Sequence, residues 1–86
     1  MTDQPVTRTD ALANAVTWAD RAEAAETLRA KHTRQAAAAA QSEYLRRDAH
    51  RHQNDAAAAG IDRQTAIDMA AMWTAIAAAT PEEPQP

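Results

Sequence analysis

The chain has three histidines, and their spacing decides what chemistry they can do. In "RRDAHRHQND", residues 46–55, His50 and His52 stand two apart, so on a helix they point to different sides and cannot chelate one ion. Asp48 and His52 are four apart and share a helical face, but two ligands without a third make a poor site. Neither a metal nor a cofactor is therefore expected. Ser42 is the single serine and cysteine is absent, so no such nucleophile is paired with a base. Gly60 is the sole glycine, which excludes a glycine-rich phosphate loop. The chain does not read as an enzyme, and no small-molecule substrate is expected.

The charged residues offer a second kind of chemistry. Net charge is −3, yet residues 27–54 hold six basic and two acidic groups while both flanks are acidic. Arg29, Lys31, Arg34, Arg46, Arg47 and Arg51 are thus candidate contacts for an anion or for nucleic-acid phosphates. The same basic middle can instead meet the acidic end of another chain in an antiparallel assembly. Pairs within one helix, such as Glu43 with Arg47, dispose of part of the charge without any partner. Net acidity and the lack of a DNA-reading motif place nucleic acid behind protein as the expected partner.

What must position these groups is a chain of unusual composition. Of its 39 hydrophobic residues 25 are alanine, so large apolar side chains are few and a core within 86 residues is thin. A partner surface is the expected remedy, in the first place a second copy of the chain. Without cysteine, and with no apolar run near the roughly 20 residues a bilayer span needs, a soluble cytoplasmic protein is expected. The N-terminus "MTDQPVTRTD" carries no signal-peptide pattern. Eight arginines to one lysine, beside so much alanine, suit a GC-rich bacterial or phage genome.

From Val6 to Ala59 run 54 residues without proline or glycine. "VTRTDA" reads as a capping box, with Thr7 the N-cap and Asp10 the acidic third residue. Gly60 reads as the glycine that ends this helix, and Asp62 as the N-cap of a second one ending near Ala79, before Thr80 and Pro81. The expected fold is all-α: an antiparallel helical hairpin with a long helix over about 7–59 and a shorter C-terminal helix over about 62–79. Residues 1–6 are expected to be flexible and the acidic, proline-containing tail 80–86 to be disordered. A break within 46–55 is the alternative to one continuous long helix.

In the second helix Met69, Met72, Trp73 and Ile76 share one face and Ile67 lies on the other, with no charge from 69 to 79. On the long helix small or apolar residues recur near the coiled-coil period, from Ala11 through Leu28 and His32 to Ala59. Such an alanine seam suits close packing of two helices, hence a coiled-coil-like homo-oligomer. His32 and His52 both fall on this seam. A short second arm lying on residues 40–57 leaves 10–28 projecting, with Leu12, Val16, Trp18 and Leu28 lacking partners inside the chain. The expected function is non-catalytic: a structural or adaptor protein that self-assembles and presents Trp18 to a larger protein partner. The alternative is a nucleic-acid-associated regulator using the basic middle.

Overall fold

A computed structural model describes residues 6–82. Helix α1, Arg8–Ala39, starts where the capping box places it. Thr7 is extended (φ −85°, ψ 161°), and its hydroxyl accepts the amide of Asp10 at 3.0 Å, satisfying one of the orphan donors of the first turn. The acidic side chain of Asp10 also lies at the positive end of the helix dipole.

The chain turns back at 40–45. Ser42 is extended (φ −126°, ψ 130°), Glu43–Leu45 form one 3-10 turn, and helix α2, Arg46–Ala79, follows directly. It ends at Thr80, which is extended ahead of Pro81 and whose own hydroxyl donates back to the carbonyl of Ile76 at 2.6 Å. The result is the expected all-α helical hairpin, with two helices packed along their lengths and no strand among the described residues. Its extents are 66 × 24 × 17 Å, and its radius of gyration of 19.2 Å far exceeds the roughly 12 Å of a compact domain of this length.

The position of the bend differs from the expectation. The long helix ends at Ala39, not near Ala59, and the second helix begins at Arg46, not Asp62, so the arms are nearly equal at 32 and 34 residues. Gly60 does not cap a helix: it lies inside α2 without positive φ, Asp62 is interior too, and Ile61 is exposed rather than folded back. The second arm therefore covers α1 as far as its first turn. Ion pairs join Glu26 to Arg63 and Arg8 to Glu82, and Arg29 passes Gly60 closely enough that a Cβ there would lie 3.8 Å from its Cδ. Residues 10–28 accordingly run beside 61–79 and do not project. Glu82, placed in a flexible tail from the sequence, is tied to Arg8 at 3.3 Å. The expectations for 1–5 and 83–86 fall outside the described residues.

The physical reason is the seam. Among the described residues every buried one is alanine: Ala11, Ala36 and Ala39 on α1, and Ala49, Ala59, Ala66 and Ala77 on α2. An alanine contributes little when buried singly, so the seam stabilises through the number of its contacts, and that number is greatest when the arms are equal. A bend at Gly60 would leave Ala11 in water; here Ala11 is 0% exposed.

Candidate functional site

The free end of the hairpin, where the helices start and finish, is its most distinctive surface. On α1 residues 11–19, "ALANAVTWA", carry no charge, and beside them residues 69–79 of α2, "MAAMWTAIAAA", carry none either. Trp18 and Trp73, one from each arm, are both half-buried here. Trp18 is no projecting anchor: it lies beside α2, and the guanidinium carbon of Arg21 sits 4.4 Å from its ring centroid, a cation–π contact.

Other apolar residues at this end remain open. Leu12 and Val16 are exposed on α1, Val16 at 61%, and Leu28 is exposed further along the same helix towards the bend. On α2 Met72 is exposed and Ile67, Met69, Trp73 and Ile76 are half-buried. Helical spacing aligns Leu12, Val16, Ala19 and Glu23 in one row, and Ile67, Ala71, Thr74 and Ala78 in another. Glu23 and Ile67 line the same shallow groove, so both rows lie on one side of the hairpin. Two largely apolar rows thus flank the seam, and among the described residues nothing covers Leu12 or Val16.

The basic residues do not form one strip. Arg29 is half-buried and donates to both carboxylate oxygens of Glu26, at 2.7 and 2.6 Å. That bond, more than the nearby charges, holds the Glu26 carboxyl below its ordinary value and raises the Arg29 guanidinium. Arg51 pairs with Asp48 at 3.4 Å. Arg46 and Arg47 line a hollow at the start of α2 together with Glu43, Tyr44, Asp48 and His50, where two carboxylates offset the basic charge. Lys31 and Arg34 are exposed on α1.

The bend brings together groups that spacing along one helix keeps apart. His32 of α1 and His52 of α2 stack with ring centroids 5.7 Å apart at an interplanar angle of 27°. They meet in a seam, but it joins two arms of one chain. The Nδ1 of each ring and Oε1 of Gln35 are buried without a hydrogen-bond partner. A ring nitrogen of each histidine and a carboxylate oxygen of Asp55 all lie within 4.8 Å of one another. Asp48, the residue that spacing paired with His52, is engaged by Arg51 instead. The cross-helix cluster was hidden because His32 is sequence-remote from 52–55, and only the position of the bend makes them neighbours.

Comparison with protein-family models, with curated proteins and with solved structures finds no match.

Proposed function

We propose that this chain is a non-catalytic structural or adaptor protein that works by binding protein, beginning with a second copy of itself. The observation that carries the reading is the uncharged end, with two largely apolar rows beside the seam. A helix apolar on all sides is normally buried on all sides, and a two-helix hairpin covers only one side of each helix. Two hairpins docked through these rows would form a four-helix, coiled-coil-like bundle, an arrangement that buries Leu12, Val16 and Ile67 together. A larger protein partner would dock on the same end in an adaptor role. The lack of cysteine suits the cytoplasm as the place of work.

The test is co-expression of two differently tagged copies, recovered through one tag. Recovery of both supports self-association, and recovery of the bait alone removes it. A second reading, a nucleic-acid-associated regulator, has one observation in its favour: Arg46 and Arg47 are both exposed beside one hollow at the start of α2. Duplex binding that falls steeply with salt and is lost on replacing Arg46, Arg47 and Arg51 by glutamine would establish that reading instead.

A further inference from the structure

We propose that His32, His52 and Asp55 bind one divalent transition-metal ion, zinc in the first instance, and thereby cross-link the two arms of the hairpin. The argument starts from the two imidazoles. A neutral imidazole has one nitrogen that donates and one that accepts, and the buried Nδ1 of both rings has no partner in either role. Unpaired buried polar atoms are costly, and here two such atoms from opposite helices are accompanied by a third, Oε1 of Gln35, one turn along α1 from His32. Beside the two rings a carboxylate oxygen of Asp55 lies within 4.8 Å of a ring nitrogen of each, and such a set of nitrogen and oxygen atoms is one that a cation can satisfy.

The donor set selects the ion. Two imidazoles and a carboxylate suit zinc and its first-row neighbours, whereas calcium and magnesium favour oxygen ligands throughout. Ligand atoms about 2.0–2.1 Å from a tetrahedral ion stand roughly 3.3 Å apart. The present separations are all within 4.8 Å, and side-chain rotations that unstack the two rings would bring the atoms to that value on loading. Asp55 is exposed and free to make such a rotation, being one turn beyond His52 on the same helix. Three protein ligands leave the fourth tetrahedral position to a water.

The ion would act on the fold rather than on a substrate. Around the cluster the seam is built from alanines such as Ala36, Ala49 and Ala59. A bond from α1 and two from α2 to one centre would add to that weak seam a tie that the unfolded chain does not preform. This inference is independent of self-assembly and stands or falls separately.

The experiment uses untagged, chelator-treated protein titrated with zinc chloride by calorimetry, with the melting temperature read in parallel. The variants are Asp55→Asn, His52→Gln and, as a control outside the cluster, His50→Ala. Expected are one zinc per chain and a higher melting temperature on loading. Affinity should be at least about tenfold weaker in both cluster variants and unchanged in the control. Absence of zinc binding up to millimolar concentration would overturn the proposal, leaving a bridging water as the partner of the two rings. So would binding that survives Asp55→Asn at full strength, or binding that His50→Ala removes. Because Asp55 is exposed, Asp55→Asn keeps the test readable even if His52→Gln fails to fold.

Discussion

Oε2 of Glu26 on α1 lies 3.4 Å from Nε of Arg63 on α2, and the same oxygen accepts from Nε of Arg29 one turn further along α1 at 2.7 Å. One carboxylate therefore serves two guanidiniums, one on its own helix and one across the hairpin. The Glu26 carboxyl is held below 4.5, first by its hydrogen bond from Arg29 and then by the charges of Arg29 and Arg63, with desolvation opposing. A carboxyl lowered by folding adds stability that is fully present above its unfolded value and disappears as pH falls through the folded one. The wild-type melting temperature should fall as pH drops below 4.5, and Glu26→Gln should flatten that part of the profile. Salt should shrink the difference, because the three groups are partly exposed. Parallel profiles for the two proteins would mean that Glu26 holds nothing.

Gly60 lies in the interior of α2 at a helical φ, and a methyl group there would meet Arg29 Cδ at 3.8 Å, an ordinary contact distance. Glycine in that position carries the cost of its conformational freedom with no compensating geometry. Gly60→Ala should stabilise by about 1 kcal/mol, or roughly 4–8 °C in melting temperature for a chain of this size. A lower melting temperature for Gly60→Ala in thermal circular dichroism would show that the bare backbone at 60 is needed.

The seam gives the opposite prediction. Ala66 is 2% exposed, so a larger side chain has nowhere to go without parting the helices. Ala66→Leu should cost about 1–3 kcal/mol. An unchanged melting temperature would mean that the arms are not closely packed at this level.

The two outer ends of the hairpin were legible in the sequence because each rests on local chemistry. Thr7 and Asp10 cap α1 by contacts three residues apart, and Pro81 restricts the residue before it. The bend was not legible, because its usual signals mislead here. Residues 40–45 contain neither glycine nor proline, and the one glycine of the described region lies in a helix. Propensity at one residue is worth about 1 kcal/mol, less than an alanine seam gains by running the full length of both arms. A trace of the bend does exist in the spacing. Inward positions on α1 alternate four and three as 11, 15, 18, 22, 25, 29, 32, 36 and 39, and resume at 49 out of phase. A stripe that slips at 40–48 belongs to two helices. The strict alternation on α1 puts Arg29 rather than Leu28 in the seam, and the bend brings His32 to His52.

The claim that the uncharged end is an association surface is tested most directly by mass in solution, from light scattering coupled to size exclusion, for wild type and Val16→Glu over a wide concentration range. Val16 is 61% exposed in the single chain, so the substitution leaves the hairpin intact, as helical circular dichroism would verify. It would nevertheless bury an unpaired charge in any assembly built on that row. The expected result is a dimer or larger species for wild type and a helical monomer for Val16→Glu. A wild-type monomer at every concentration, or an oligomer that Val16→Glu leaves unchanged, would contradict it.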